Sequence, residues 1–356
     1  MAQLHQSSHL KLSQNIRATM DVLFLQVLNG LDKGGAYALI ALGLTLAFGT
    51  LGVVNFAHGA LFMLGAFCAV SMQKILTFSK RVKDESVTFF EAFKEEPYLT
   101  IWLGDTGQVI IDYVVPISLL AAIPIMLLIG IATERGLIRF FYKRPHAEQI
   151  LVTFGLAIVL QEIIKAFFGA NPIPISEPEI VSGSASIGNW IGLGENVIYP
   201  WWRLIYLSFT FIVVGSVFAF LNLTTYGMVV RAGMYDSETV ELLGINIQKR
   251  FTTVFGIAAI VAGLAGVMYT PILPPDYHIG MDFLVLSFVV GGVGGMGSVE
   301  GDVLAGFVLG VLQSFASMNE VKTIFPGIDQ IIIYLVAVII LLTRPRGLLG
   351  RKGLME

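Results

Sequence analysis

The chain has 356 residues, of which 55% are hydrophobic and only 13% are charged, and its formal net charge is −3. Because a soluble globular domain usually carries about a quarter charged residues, this composition excludes a soluble protein and indicates one that lies in a membrane. The single cysteine, Cys68, excludes an intrachain disulfide and a thiolate metal cluster. We interpret Cys68 as a packing residue of an apolar segment.

The first elements are a polar N-terminal segment and a long uncharged run. Residues 1–19 have no apolar core before Met20, so we expect a flexible, loosely ordered extension and not a cleaved secretory signal. Residues 34–73 contain no Asp, Glu, Lys or Arg. A helix rises about 1.5 Å per residue and needs about 20 residues to cross a bilayer, so this run can hold two crossings. Residues 55–59, Asn-Phe-Ala-His-Gly, place polar groups between or within them.

Residues 74–108 form a mixed-charge insertion after this run. Its first part, residues 74–96, contains five basic and five acidic side chains, so the charges do not fix the side of the membrane on which it lies. The spacing of Phe89, Phe90 and Phe93 among charged residues predicts a short amphipathic helix along the membrane surface.

Seven further apolar stretches follow, several of them short or rich in glycine for a membrane span. Together with the two crossings of the first run they give about nine membrane segments, to within about one segment. We therefore expect an all-α, polytopic membrane protein. The seven stretches are residues 113–133, 150–164, 204–230, 251–275, 283–299, 303–319 and 330–343.

Basic residues indicate the orientation, because Lys and Arg accumulate in the cytoplasmic loops of membrane proteins. Residues 169–200 contain no Lys or Arg but carry three glutamates, so we expect an extracytoplasmic loop there. Three basic regions are expected to be cytoplasmic, and the third includes the C-terminus with its short tail, residues 351–356. Their basic residues are Arg135, Arg139, Lys143 and Arg144, then Arg231, Lys249 and Arg250, and finally Arg344, Arg346, Arg351 and Lys352.

The second basic region, residues 226–250, has the pattern of a short helix held between two spans. Asp236 or Ser237 can cap this helix, and Gly244 can end it, which leaves about two turns between them. Two glutamates lie toward its positive end. Movement at the face of such a helix would be passed to the spans that it joins. The alternative is an ordinary interhelical loop with a local turn.

Glycine spacing marks a second unusual region, residues 291–301, which Gly306 and Gly310 follow. Glycine on one helix face permits close packing, which we favour for Gly306 and Gly310, whereas a dense cluster can also break a membrane helix. For residues 291–298 both interpretations stay open. The region resembles residues 49–65 in outline, so we expect two pseudo-repeated halves with discontinuous helices.

Polar residues within apolar segments are the candidates for function. No Cys or His stands at metal-ligand spacing from His58, and no Ser with a paired acid is evident near it, so we assign it neither a metal nor a catalytic role. His58 and Asn55 either make structural hydrogen bonds or line a wet pathway. Glu162 and Lys165, three residues apart in an apolar segment, are expected to form an ion pair.

Four motifs together resemble the permease family of branched-chain amino acid ABC importers, the LivH/LivM type and particularly its LivH branch. They span residues 30 to about 350, and only their combination is specific. The N-terminal extension and the 74–108 insertion are larger than expected for a typical member. The motifs are residues 37–43 leading to 54–59, Glu134-Arg135, residues 231–232 through 242–246, and the glycines from 291 to 310, with the closing run Arg344-Pro345-Arg346-Gly347-Leu348-Leu349-Gly350.

The resemblance implies a transmembrane permease domain over residues 20–350, located in the bacterial cytoplasmic (inner) membrane. Such a subunit forms half of a pathway for branched-chain or related small amino acids. The implied partners are a second homologous permease, two cytoplasmic ATP-binding cassette ATPases, an extracytoplasmic solute-binding protein and membrane lipid, without nucleic acid. The implied coupling residues are Arg231, Asp236, Ser237, Glu238, Glu241, Leu242, Leu243 and Gly244, and the implied pathway residues are Asn55, Phe56, His58, Gly59, Gly294, Gly295 and Ser298.

The chain itself is not expected to bind ATP or another cofactor, or to act as an enzyme. A phosphate-binding loop ends in Gly-Lys-Ser/Thr, but the only Lys-Ser/Thr pair here, Lys322-Thr323, follows Val321. A membrane enzyme would also need a cluster of catalytic side chains, and the sequence contains no evident one. Energy must then come from another subunit or from an ion gradient.

Two alternatives to an amino-acid importer stay open. Related permeases carry urea, short amides and other small polar solutes, so the cargo is not fixed by the resemblance. A secondary transporter would need intramembrane carboxylates for a coupling ion, and the sequence offers only Glu162 and, near a loop, Glu300 and Asp302.

Overall fold

The computed structural model describes residues 2–51, 55–83, 93–142, 144–192, 197–235, 237–295 and 297–350. Side chains are described in these ranges except at residues 2–18, 49–51, 83, 190–191, 234–235 and 237–238. The described chain is mostly helical, with two short β-hairpins. In chain order the elements are α1 (Ala2–Leu51), α2 (His58–Leu76), β1 (Ser79–Lys83), β2 (Phe93–Pro97), α3 (Tyr98–Leu103), α4 (Asp105–Asp112), α5 (Val114–Gly136), a 3₁₀ turn (Ile138–Phe141), α6 (His146–Phe168), a 3₁₀ turn (Glu179–Val181), β3 (Ser184–Ser186), α7 (Gly188–Ile191), β4 (Ile198–Pro200), α8 (Trp201–Leu223), α9 (Thr225–Tyr235), α10 (Ser237–Leu242), α11 (Ile247–Tyr269), α12 (Ile279–Gly294), α13 (Val299–Ala316), α14 (Asn319–Ile324) and α15 (Ile328–Thr343).

Seven helices of the described chain are long and apolar enough to cross a membrane, and two shorter apolar helices, α12 and α15, accompany them. The polytopic helical class is thus confirmed, whereas the predicted count of nine spans is not. The uncharged run overlaps two of the seven, as predicted. The seven candidate spans are Thr19–Phe48, His58–Leu76, Val114–Phe141, His146–Phe168, Trp201–Leu223, Ile247–Tyr269 and Val299–Ala316.

Helix α1 extends further toward the N-terminus than the apolar pattern indicates. It includes the segment 2–19, for which we expect a loosely ordered extension, and the flexibility of that segment stays a prediction. Its candidate span begins at Thr19, well before the uncharged run. Within this span the side chains of Asp21 and Asp32 are buried. The span therefore includes two acidic residues that interrupt the apolar pattern of the sequence, because their side chains are buried against the rest of the bundle.

Two short antiparallel hairpins accompany the helices of this all-α membrane protein. One pairs β1 with β2 and places Arg81 opposite Glu95, with 3.8 Å between Arg81 Nε and Glu95 Oε1. Phe93 lies in β2, so the amphipathic helix predicted around it is wrong for the described residues, and residues 84–92 lie outside them. Phe93 is in a strand because the backbone of β2 pairs with β1. The spacing of phenylalanines along the sequence carries no information about such pairing. The other hairpin, β3 with β4, lies in the 169–200 segment.

Helices α1 and α11 form the centre of the bundle. In their span windows 83% and 78% of the residues are buried, against 17% for α6. An added Cβ at Gly310 of α13 would lie 2.4 Å from Gly34 Cα of α1, and one at Gly306 would lie 2.9 Å from the α1 backbone. An added Cβ at Gly65 of α2 would lie 2.1 Å from the Gly263 carbonyl oxygen of α11. The packing role expected for Gly306 and Gly310 is confirmed, because small residues let these helices approach closely.

The described parts of the three basic regions share one face of the bundle. Arg139, after α5, donates a hydrogen bond to Gln248 at the start of α11. Gln161, toward the end of α6, contacts His278 just before α12, with 3.1 Å between Nε2 and Nδ1. Helix α12 therefore starts near the opposite face and runs back, and the C-terminal segment, residues 344–350, packs on its end. We call the shared surface the basic face.

A buried carboxylate fixes the end of α5 at the basic face. Glu134 accepts hydrogen bonds from the hydroxyl of Tyr142 and from Thr252 Oγ1, the latter at 2.9 Å. These contacts tie α5 to the turn that follows it and to α11. Burial of the phenol, together with its bond to Glu134, raises the pKa of Tyr142 above its ordinary value, so Tyr142 stays a neutral donor.

We expect Glu134→Ala to lower the free energy of unfolding by about 2 kcal/mol, because the partly buried Tyr142 hydroxyl loses its acceptor and Thr252 keeps only its bond to the Gln248 carbonyl. Glu134→Gln keeps one acceptor oxygen and should cost less. Thermal unfolding of the purified variants in detergent measures both losses. Equal melting temperatures for the wild type and Glu134→Ala would contradict this role.

Candidate functional site

The candidate coupling loop joins α8 to α11 at the basic face. Helix α8 ends at Leu223, and the Thr224 hydroxyl accepts a hydrogen bond from the backbone N–H of Gly227 (3.0 Å) in the first turn of α9. Helix α10 follows with six residues, and the Gly244 N–H donates to the Glu241 carbonyl (2.9 Å) where it ends. Gly244 has φ +81°, which glycine adopts without strain. The short helix predicted to end at Gly244 is therefore present.

The end of α10 presents apolar side chains to the surroundings. Leu242 is 87% exposed and Leu243 is 74% exposed, and Glu241 beside them is also exposed. Arg231 of α9 is exposed in the same loop and donates to Asn222 Oδ1 (2.6 Å). Exposed neighbouring leucines next to polar residues are typical of a surface that another protein covers. Asp236 and the side chains of Ser237 and Glu238, which complete the predicted coupling surface, lie outside the described part.

The base of the coupling loop is packed. Val240, Ile247 and Phe251 form a small buried cluster between α10 and α11. At the edge of this base the Arg250 guanidinium lies 4.3 Å from the centre of the Tyr226 ring. The exposed tip therefore stands on a base in which α10 is packed against the start of α11.

The candidate pathway segment lies between α1 and α2. Asn55 is buried, and its Oδ1 accepts a hydrogen bond from the Ala57 N–H (3.0 Å). The Phe56 N–H donates to Thr153 Oγ1 of α6 (3.0 Å), and the Phe56 ring packs on Phe288 of α12 with 5.2 Å between centroids. Residues 55–57 are therefore a non-helical, buried stretch before α2, and a discontinuous membrane helix here stays a prediction.

His58 and Gly59 begin α2 at close contacts. His58 is fully buried, and an added Cβ at Gly43 would lie 2.3 Å from its Nε2. An added Cβ at Gly59 would lie 2.2 Å from the Gly280 carbonyl oxygen. Neither ring nitrogen of His58 nor Nδ2 of Asn55 has a hydrogen-bond partner among the described residues. Since unpaired buried polar groups are costly, these atoms retain unused hydrogen-bonding capacity, and their assignment to a pathway stays a prediction.

A second break separates α12 from α13 at the basic face. Gly295 has φ +106°, and Ser298 Oγ accepts a hydrogen bond from the Gly301 N–H (3.1 Å) at the start of α13. An added Cβ at Gly294 would lie 2.5 Å from the Gly301 backbone. The helices are therefore interrupted among these glycines, and close packing applies at the same residues, whereas a single discontinuous membrane helix stays a prediction.

The C-terminal segment covers this second break, which the sequence did not reveal. The N–H groups of Leu348 and Leu349 donate to the carbonyls of Val293 (2.7 Å) and Gly294 (3.0 Å). These bonds satisfy carbonyl groups that the end of a helix leaves without intrahelical partners. Gly347 and Gly350 of the closing run are the sequence signal for this contact, because glycines permit two backbones to approach closely.

The structure does not bring the two groups of candidate pathway residues into one described cluster. Phe56 contacts Phe288, whereas Gly294 stands further along the same helix. At about 1.5 Å per residue this separation is about 9 Å along α12. The first group lies inside the bundle and the second at the basic face, and their assignment to one pathway stays a prediction.

The charged residues predicted within or near apolar segments differ in their surroundings. Glu162 and Lys165 form the predicted ion pair, with 3.5 Å between Oε2 and Nζ. Glu300 is exposed, whereas Asp302 is fully buried and accepts a hydrogen bond from Thr45 of α1. Asp302 Oδ1 has no hydrogen-bond partner within the described ranges. Asp302 is thus a buried carboxylate in the first turn of α13, close to the loop as predicted, and it joins Asp21, Asp32 and Glu134 as acidic residues buried within candidate spans.

The chain is similar to named permease proteins. It is 25% identical over 333 residues to the high-affinity branched-chain amino acid transport system permease protein LivH of Escherichia coli. This alignment covers 92% of this chain and 95% of LivH. It is 26% identical over 339 residues to the corresponding protein BraD of Pseudomonas aeruginosa, with the same coverage of 92% and 95%. The ribose import permease protein RbsC of Haemophilus influenzae is 25% identical over 245 residues, 67% of this chain and 73% of RbsC.

No solved structure shows significant similarity to the chain. The family model described as branched-chain amino acid transport system / permease component matches residues 26–341, which is most of the chain. The chain therefore belongs to this permease family.

Proposed function

We propose that this chain is the membrane permease subunit of an ATP-driven importer and forms half of the pathway for branched-chain or related small amino acids. The printed names of LivH and BraD support the amino-acid cargo. The observation that carries the proposal is the coupling loop, in which the exposed Leu242 and Leu243 stand on a packed base between two candidate membrane spans.

The coupling loop would dock in a groove of an ATPase subunit. Burial of the two leucines there would contribute favourable free energy, since an apolar side chain removed from water contributes about 1.5–3 kcal/mol. When the ATPase moves, the cluster of Val240, Ile247 and Phe251 would carry the displacement into α11. This arrangement converts ATP hydrolysis in a partner into movement of membrane helices here.

The proposed assembly contains this chain, a second homologous permease, two cytoplasmic ATPases and an extracytoplasmic solute-binding protein. The chain would lie in the bacterial cytoplasmic membrane with its basic face, and therefore its C-terminus, toward the cytoplasm. The ATPases would then meet the coupling loop, and the binding protein would meet the opposite face, where the 169–200 loop lies.

Asn55 tests the proposed pathway. We expect Asn55→Leu to slow uptake about fivefold, because it removes the bond to the Ala57 N–H and the unpartnered amide that faces the interior. Initial uptake rates in vesicles measure the effect, and ATPase binding serves as the control for assembly. Normal uptake would mean that Asn55 has only a structural role.

The function itself is tested by uptake of labelled leucine into vesicles that hold this chain with its second permease, ATPases and binding protein. We expect ATP-dependent leucine uptake that unlabelled urea does not inhibit. A complex that hydrolyses ATP and takes up urea but not leucine would move the cargo to small amides.

The buried Asp302 makes an ion-coupled transporter the second candidate, because such transporters bind their coupling ion at intramembrane carboxylates. Ionophores distinguish the two mechanisms. ATP-driven uptake should continue when ionophores remove the ion gradients, whereas loss of uptake under these conditions would favour ion coupling.

A further inference from the structure

The mixed-charge insertion carries an open apolar groove. The groove has a volume of about 310 Å³ and lies where the end of α2 meets α3. The Phe78 and Tyr98 rings stack with 5.6 Å between their centroids, and the Trp102 ring contacts Tyr98 at a tilt with 5.8 Å between centroids. The lining residues are Ile75, Leu76, Phe78, Tyr98, Leu99 and Trp102.

The groove adjoins the end of one candidate membrane span and precedes the start of another in the chain. The span formed by α2 ends at Leu76, which lines the groove, and the span formed by α5 begins at Val114, directly after the insertion. Lys74 Nζ lies 4.6 Å from the centre of the Phe168 ring at the end of α6. The groove therefore lies at the face opposite the basic face, at the level where these spans leave the membrane.

The insertion separates apolar from charged surface. On α3, Trp102 is 78% exposed and its neighbours Ile101 and Leu103 are exposed as well. On the hairpin, the charged Arg81 and Glu95 are exposed. A charged hairpin that leads directly into an exposed apolar helix is typical of an element that lies in the membrane interface.

We propose that this groove binds the acyl chain of a phospholipid in the leaflet opposite the basic face, and that the insertion thereby anchors the permease at the membrane interface. Trp and Tyr are enriched at this level because one end of each ring system is apolar and the other can meet water. The proposal requires that α2 and α5 span the membrane, and it is independent of the cargo and of ATP coupling.

Fluorescence of Trp102 tests the proposal. The chain has four tryptophans, so the contribution of Trp102 is the difference between the wild type and Trp102→Phe. Both proteins are placed in nanodiscs of phosphatidylethanolamine and phosphatidylglycerol, with or without brominated acyl chains. We expect brominated lipid to quench about half or more of the Trp102 contribution, because interfacial tryptophans contact acyl chains. Soluble iodide should quench little of it.

Lipid retention provides a second measurement. By native mass spectrometry we expect the double variant Phe78→Ala, Trp102→Ala to lose a bound phospholipid that the wild type retains. The matched control is Leu128→Ala, which changes an exposed apolar residue of α5 outside the groove. Unchanged retention in the double variant, or Trp102 fluorescence that iodide quenches and bromine does not, would overturn the proposal. Quenching by bromine that disappears when the solute-binding protein is added would instead assign the groove to that protein.

Discussion

The double variant Leu242→Glu, Leu243→Glu is expected to reduce ATP-driven uptake about 30-fold or more while the chain remains folded. The two side chains are 87% and 74% exposed, so the folded subunit loses almost no packing when they change. In the proposed complex the same side chains are buried against an ATPase. Truncation of a central interface residue typically costs about 2 kcal/mol or more, and an unpaired buried charge adds to this loss. A loss of about 2 kcal/mol corresponds to about a 30-fold change.

Three measurements are needed to interpret this double variant. Melting temperature in detergent reports the fold, co-purification of the ATPase reports docking, and vesicle uptake reports coupling. Ile180→Glu controls for a glutamate at an exposed apolar residue of the 169–200 loop, and its readouts are melting temperature and co-purification of the ATPase. Normal uptake by the double variant would contradict the coupling role of α10.

Gly65→Leu is expected to lower the free energy of unfolding by about 3 kcal/mol, which is the upper range for overpacking. An added Cβ at Gly65 would lie 2.1 Å from the Gly263 carbonyl oxygen and 2.4 Å from Gly263 Cα. These are backbone atoms of α11, so no flexible side chain can move aside. The crossing of α2 and α11 must then open, and this crossing also positions His58 and Gly59 at the start of α2.

The control for this prediction is Gly215→Leu. An added Cβ at Gly215 of α8 meets no atom within 4 Å, so the same substitution fits there. We expect the melting temperature of Gly65→Leu to fall by about 5 °C or more and that of Gly215→Leu to stay near the wild type. Equal melting temperatures for the two variants would contradict the close packing of α2 on α11.

Features that depend on local pattern could be predicted from the sequence. The uncharged run overlaps two candidate spans, the glycines at 306 and 310 pack on α1, and Glu162 pairs with Lys165. The short helix ending at Gly244 also follows from neighbouring residues, because a glycine with positive φ can end it locally. Each of these features depends on residues that are close together in the sequence or on one helix face.

Features that depend on distant pairing could not be predicted. Hairpin formation decides the conformation of Phe93, and the bond between Thr45 and Asp302 joins α1 to α13 across most of the chain. The closing segment also reaches back to Val293 and Gly294. Such contacts leave no periodic signal in one sequence. The burial of Asp302 and the packing of the C-terminal segment on the end of α12 are therefore visible only in the structure.

Cross-linking at the tip of α10 tests the central claim, that a separate ATPase drives this chain through its coupling loop. The one native cysteine is replaced by Cys68→Ala, and a new thiol is introduced by Leu243→Cys or, as the control, by Ile180→Cys. Each thiol then carries a short photo-cross-linker in the assembled complex. We predict an adduct with the ATPase from position 243 and none from position 180. An ATP-hydrolysing complex that gives no adduct from position 243, or equal adducts from both, would contradict the account.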